Sequence, residues 1–303
     1  MFHYNSMQEA LPVFKALSAE IRVRIMELLY EGGDKSLNDI ARALKLSNSA
    51  ISMHMSKLKA AELIEIRTIS GKRGSMKVCK PKDTALFVEL SPEEVKEQCY
   101  THEIEVGQYT AHSAEATCGL ATTRHVIGEY DAPRYFSFPD RFNAQILWLT
   151  NGFVEYSLPN SLQAGEKLTE ITIYMELSSE APGVRDVYPS DIYFSINGVE
   201  LGYWISPGDY GSRRGRFNPN WWLDGKNQYG LLKVLTVNRK GTFLDRGAQI
   251  SPATVDDLSI SHNSPINFRI ASPAETRNPG GLTIFGKGFG DYNQGIKVSL
   301  FYE

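Results

Sequence analysis

The hydrophobic period of this 303-residue chain changes once, near residue 62, and that change constrains the fold more than any other feature. Before it, apolar residues recur at helical spacing; after it, they alternate as strand residues do. "AEIRVRIMELLYEGG" puts Ile21, Ile25, Leu28 and Leu29 on one helical face and stops at Gly32-Gly33. "SLNDIARALKLS" repeats the pattern with Leu37, Ile40, Ala41 and Leu44, and Ser36 fits an N-cap with Asp39 at the third helical position. "SNSAISMHMSKLKAAEL" begins on Ser47 as N-cap and turns Ile51, Met55 and Leu58 inward. The brief "KLS" turn between these two segments predicts a helix-turn-helix. "LIEIRTIS" and "SMKVCK" then alternate around "GKRG", a hairpin with a basic tip that reads as a wing.

From Lys80-Pro81-Lys82 onward, short segments rich in β-branched and aromatic residues dominate, among them "ALFVEL", "THEIEVGQYT", "QILWLTNGFVEYSL", "LTEITIYMEL" and "DIYFSINGVELGYWI". Asn151-Gly152 and Asn197-Gly198 fit hairpin turns that need positive φ at both central residues. The expectation is an α+β multidomain chain: a winged helix-turn-helix over 1–82, then an all-β sandwich of the jelly-roll or galactose-binding-like kind over 83–303.

Charge divides the same way. Met1 to Leu90 carries 14 Lys and Arg against 10 Asp and Glu, and Ser47 to Lys82 alone carries 8 against 2. The whole chain is at −3, so the basic stretch is local, the footprint of a DNA-binding module attached to a mildly acidic partner domain. Cys79, Cys99 and Cys118 are too few and too scattered for a disulfide framework or a metal ladder. With no signal-like N-terminus and no apolar run of membrane length, a cytoplasmic protein without membrane contact is expected.

With Ile51, Met55 and Leu58 inward, a helical projection turns Ser49, Ser52, Met53, Ser56 and Lys57 outward, with Asn48 near the edge. Ser47, Asn48, Ser49, Ser52, Ser56 and Lys57 are the candidate DNA contacts of the second helix, and Lys72, Arg73 and Lys77 those of the wing. His54 lies beside the buried stripe, where a partly buried ring bonded within its own domain fits. The run "LKLSNSAISMHMSKLKAAELI" and the hairpin after it resemble the winged-helix domain of the ArsR/SmtB family of bacterial transcription regulators, over roughly residues 7 to 80. That resemblance implies a DNA contact for His54 as the alternative to an internal bond. Because one short recognition helix gives limited affinity, a homodimer on paired half-sites of a double-stranded operator is expected. The sequence departs from the family's metal sensors, because "SLNDIARALK" holds no Cys or His and "DTALFVEL" reads as strand rather than dimerisation helix. No metal, cofactor or catalytic residue is therefore assigned.

Catalytic patterns fail in the second part: there is no G-x-S-x-G, H-E-x-x-H or P-loop, and no helix follows the glycines of "GKGFGDYNQG". Asp256 and Asp257 would diverge on a strand and make a poor acid/base pair. Binding fares better. "GDYGSRRGRFNPNWWLDGKNQYG" concentrates Asp209, Arg213, Arg214, Arg216, Trp221, Trp222, Asp224 and Gln228, the mixture of flat aromatic faces, planar guanidinium and carboxylate that grips sugars. Two alternatives stand beside it: a long connection tied by internal salt bridges, and an anion site for a uronate or phosphorylated sugar. Trp221 and Trp222 would point to opposite faces of a strand, so one lines a groove or interface, or both lie in a loop.

"TCGLATT", "PDRFNAQILWLTNGFVEYSLPN" and "GGLTIFGKGFGDYNQ", together with that loop, resemble Firmicute-type ArsR-like regulators that carry a C-terminal β-sandwich akin to carbohydrate-binding domains. The resemblance implies control of carbohydrate-related genes; the residue mixture of the 208–230 loop is what points to a sugar as the small effector. The rivals are a sandwich that serves only oligomerisation or protein interaction, and a carbohydrate-active enzyme fused to a DNA-binding head.

Overall fold

The computed structural model describes residues 2–4, 6–32, 34–71, 74–82, 86–88, 98–245 and 247–303. They form two compact units, Met1–Val95 and Lys96–Glu303. The first unit extends past the residue-82 boundary read from sequence because Leu86–Val88 pairs in parallel with Phe2–Tyr4.

The first unit runs β1 (Phe2–Tyr4), α1 (Met7–Leu17), α2 (Glu20–Gly32), β2 (Lys35–Ser36), α3 (Leu37–Leu44), α4 (Asn48–Ala60), β3 (Ile64–Gly71), β4 (Gly74–Pro81) and β5 (Leu86–Val88). Both predicted caps are present. The Ser36 side chain accepts from the Asp39 amide while Asp39 Oδ2 reaches back to Ser36 N, a full capping box, and Ser47 Oγ accepts from Ala50 N at 3.2 Å. Lys45 takes the left-handed conformation, φ 55°, which closes α3 and starts the turn into α4. Ile25, Leu29, Ile40, Ile51, Met55, Leu58 and Ile64 bury one shared core. The hairpin of β3 and β4 is joined by β2 into a sheet of order β2-β4-β3, a third strand that the sequence pattern did not show.

The second unit runs β6 (Cys99–Ile104), β7 (Ala111–Ala114), β8 (Cys118–Ala121), β9 (Ile146–Leu149), β10 (Gly152–Leu158), β11 (Leu168–Ser178), β12 (Ser190–Ile196), β13 (Val199–Ser206), β14 (Leu231–Asn238), β15 (Gly241–Leu244), β16 (Ala248–Ser251), β17 (Ile266–Ser272), β18 (Leu282–Phe285) and β19 (Ile296–Tyr302). These form an antiparallel sandwich. One sheet has the order β13-β12-β17-β10-β7; the other runs β16-β15-β14-β11-β18-β9-β8, with β19 pairing β11 and β6. Val154, Tyr156, Phe194 and Phe268 from the first meet Leu147, Ile171, Ile173, Leu235 and Val298 from the second in a single core.

Asn197-Gly198 is the expected hairpin turn between β12 and β13, with φ 51° and 80°. Asn151-Gly152 is not a hairpin: β9 and β10 lie in different sheets, so the chain crosses the sandwich there. Gly152, at φ 124°, is required because a Cβ would stand 1.9 Å from the Ser113 carbonyl oxygen on the neighbouring strand. Asp256 and Asp257 sit in a 3-10 turn rather than on a strand.

The larger sheet is buried on both faces. Along β11, Ile171, Ile173, Met175 and Leu177 face the sandwich core, while Thr172, Tyr174, Glu176 and Ser178, pointing the other way, are equally enclosed. The cover includes parts of 209–230 and 286–292: Trp221 and Trp222 join Ala121, Ile146, Trp148, Phe285 and Phe289 in a second, smaller core. Among the described residues no helix is long and apolar enough to cross a membrane.

Candidate functional site

Helix α4 presents a one-sided surface. Asn48, Ser49, Ser52, Met53, Ser56 and Lys57 are exposed, and Ser47, at its cap, bonds Ser49 Oγ at 3.0 Å. Ser56 Oγ donates to the Ser52 carbonyl at 2.9 Å, which keeps that side chain low on the helix. Short side chains on the first two turns leave the backbone free to approach a groove floor closely. His54 is half-buried, and its Nδ1 has no hydrogen-bond partner among the described residues. Lys77 is exposed on β4; Lys72 and Arg73, at the hairpin tip, lie outside the described residues. Arg22, buried in α2, closes the C-terminal end of α1 by donating to the carbonyls of Lys15 and Ala16, which fixes the first helix against the motif.

The segment from Asp209 to Gln228 is mostly self-satisfied. Arg213 grips Asp291 with both terminal nitrogens, at 3.1 and 2.5 Å, and lies over the Tyr229 ring. Arg214 donates to the Trp222 carbonyl and to Asp224 Oδ1, each at 2.9 Å, and to the Pro219 carbonyl. Arg216 sends its backbone N–H to Asp291 at 3.1 Å. Gln228 is buried, donates to the carbonyls of Leu223 and Lys226, and accepts from Asn218. Trp222 is 2% exposed and bonds the Asn227 carbonyl; Trp221 is half-buried and donates to the Thr123 carbonyl at 2.7 Å. The expected sugar-gripping constellation is thus not assembled: Arg213, Arg214 and Gln228 hold the loop, and Trp222 fills the second core, because bonds within the cover satisfy them first. Beneath it, Glu176 accepts backbone N–H bonds from Gly230, Asp291 and Tyr292, and these oppose a burial that pushes its carboxyl up to about 8.

Asp209 stands apart. It lines a cleft of about 110 Å³ with Thr117, Tyr130, Trp148, Glu180, Lys226 and Asn227. Asp209 and Glu180 are 1% and 5% exposed. Glu180 accepts from Thr117 Oγ1 at 3.0 Å, from Thr283 Oγ1 at 3.3 Å and from the Asn227 amide. Asp209 Oδ2 accepts from Ala181 N at 3.3 Å, but Oδ1 is buried with no partner. Burial pushes Asp209 up to about 8, with the Glu180 charge adding to it and the nearby Asn227 amide partly offsetting. Burial likewise raises Glu180 to about 7. Among the described residues no three His, Cys, Asp or Glu side chains are grouped as metal ligands. A wider groove of about 790 Å³ includes Arg124, Phe142 and Lys287, but its lysine is already held by Glu103 and Glu105 at 3.2 and 2.8 Å. Of the cleft residues only Asp209 was legible in sequence; the others come from five separate stretches, with no local spacing to announce them.

Fold and exposed face together define a winged helix-turn-helix unit joined to a β-sandwich unit. Its helix-turn-helix is of the ArsR family: residues 19–65 match the family described as "Bacterial regulatory protein, arsR family". Over 52 residues the chain is 46% identical to the transcriptional repressor SdpR of Bacillus subtilis (strain 168), a match over 17% of this chain. The chain spans 57% of the length of that curated relative. Among solved structures it is similar to CBM51 from Clostridium perfringens GH95 in complex with methyl-galactose, at 8% identity and a TM-score of 0.24, covering 66% of this chain and 99% of that one.

Proposed function

We propose that this protein is a sequence-specific, DNA-binding transcriptional regulator of carbohydrate-related genes, working as a cytoplasmic homodimer whose β-sandwich takes a small effector, a sugar. The observation that carries the reading is the α4 face: a capped helix with short polar side chains outward and an apolar stripe inward, held in an ArsR-family helix-turn-helix. In this reading Asn48, Ser49 and Ser52 read base edges, and Lys57 and Lys77, both exposed, neutralise phosphates. One such helix reads few base pairs, so paired half-sites supply the affinity and specificity. The effector enters at the Asp209 cleft, where an aromatic wall and unspent hydrogen-bonding capacity coincide. A ligand that favours one dimer arrangement then alters operator affinity by its differential binding alone.

Genome-wide mapping of bound DNA, followed by mobility shifts on the recovered promoter fragments, tests this. Enriched palindromic sites beside carbohydrate genes are expected. Purified protein that ignores every fragment at low ionic strength overturns it.

One observation favours the enzyme alternative: two buried carboxyls with raised proton affinity share a cleft. Glu180, however, is occupied by three donors of its own chain, which leaves it a poor proton donor to a substrate. Product release from a chromogenic glycoside panel would revive that alternative.

A further inference from the structure

Among its lining residues the cleft sets Asp131, Glu180 and Asp209 against Lys226. Among the described residues no ion pair reaches Glu180 or Asp209, and Asp209 Oδ1 is an enclosed acceptor lacking a donor. Such an atom costs free energy until a donor arrives, and a carboxylate costs more than a neutral acceptor. The lysine in the wall, Lys226, does not supply it. Its Nζ sits 4.2 Å from the centroid of the Tyr130 ring instead. An ammonium over an aromatic face is stabilised by the ring quadrupole, so the mouth of the cleft already favours that group. The mouth is also open, since a Cβ built on Gly183 or Gly225, both in its wall, would meet nothing within 4 Å.

We propose that the effector is an amino sugar whose primary ammonium enters between Asp209 and Glu180, donating to Asp209 Oδ1, while its ring lies on Tyr130 in place of Lys226. This rests on the reading of the sandwich as an effector-binding unit. The ammonium brings the missing donor and a further positive charge to the carboxyls in one group; a neutral hydroxyl brings only the donor. Tyr130, 42% exposed, offers a face for the C–H surface of a pyranose, and the Asn227 amide flanks both carboxyls. Lys226 is then a tethered competitor: it contests the Tyr130 face with any pyranose, and it repels an ammonium as well.

Titration calorimetry on the full chain tests it, with galactosamine and glucosamine set against galactose, glucose, the two N-acetylated amino sugars and ethanolamine. Amino sugars are expected to bind at least about tenfold tighter than the neutral hexoses, and N-acetylation, which removes the charge, to erase the difference. Asp209→Asn should weaken amino-sugar binding about tenfold or more, its melting transition confirming an intact fold. Lys226→Met, which clears the Tyr130 face and also removes a like charge, should tighten amino-sugar binding by clearly more than it tightens neutral hexoses. Equal binding of a neutral hexose, or a Lys226→Met variant that weakens the amino sugar, overturns the proposal. Ethanolamine binding as tightly as galactosamine overturns the sugar part of it. If no compound binds while promoter fragments are still retarded, the cleft assignment falls and the DNA-binding reading stands; if retardation fails too, both fall.

Discussion

Trp221 and Trp222, neighbours in sequence, meet edge to face with ring centroids 5.5 Å apart, on the same side of the chain. This is possible because residues 219–225 form turns, not a strand. The two rings differ in what they support: Trp222 packs against Trp148 at 5.8 Å and Phe289 at 5.1 Å, whereas Trp221 is half-buried. Trp222→Ala should therefore destabilise the sandwich unit by about 3–5 kcal/mol, and Trp221→Ala by clearly less. Chemical denaturation followed by near-ultraviolet circular dichroism measures both; equal losses would contradict the packing.

Ser52→Glu places a carboxylate on the exposed face of α4 without touching the buried stripe. Operator affinity should fall by roughly a hundredfold, the cost of a charge facing phosphates, while the melting temperature stays unchanged. Retained affinity in a mobility shift would remove α4 from the groove.

Lys57→Ala with Lys77→Ala should flatten the dependence of log affinity on log salt by about 0.9 for each phosphate no longer neutralised. Fluorescence anisotropy across a salt series reads this directly. An unchanged slope would mean that both lysines are simply solvated.

Stability should fall as pH rises. Burial holds Asp209 near 8 and Glu180 near 7, while the unfolded chain ionises both in the ordinary carboxylate range. Between about pH 4 and about pH 8 the folded state then binds more protons than the unfolded one, so their contribution is full at the acid end and lost toward pH 8. Melting of the sandwich unit across this window should show the decline, and Asp209→Asn should make it shallower. An identical pH profile in the variant would show that Asp209 ionises normally.

Ser36→Ala removes one half of the α3 capping box, in which Ser36 and Asp39 bond reciprocally. A loss of about 1 kcal/mol is expected in the first unit. Thermal unfolding of the variant checks it.

Local chemistry made the helix-turn-helix legible. Ser36 with Asp39, Ser47 with Ala50, and the inward Ile51, Met55 and Leu58 all act within one or two helical turns, where sequence spacing equals spatial spacing. Strand patterning likewise identified the sandwich. What it concealed was the second covered face: Thr172, Glu176 and Ser178 alternate with apolar neighbours as solvent-facing residues would, yet distant segments bury them. The cleft was hidden for a related reason. Thr117, Tyr130, Glu180 and Asn227 converge through sheet order, and no short-range rule relates them. Asn151-Gly152 misled because a dipeptide suited to a tight turn also suits a crossing where two backbones nearly touch.

The cover laid over the larger sheet ties recognition to endurance. In folds whose binding residues sit on free hairpin tips, specificity can drift by exchanging tips while the scaffold stays indifferent. Here Asp209, Lys226 and Asn227 belong to the same stretch that seats Trp222 and anchors Arg213 to Asp291. Retuning the cleft, by selection or in the laboratory, must therefore proceed through substitutions that also keep the second core sealed, so new specificities should emerge first in backgrounds with stability to spare.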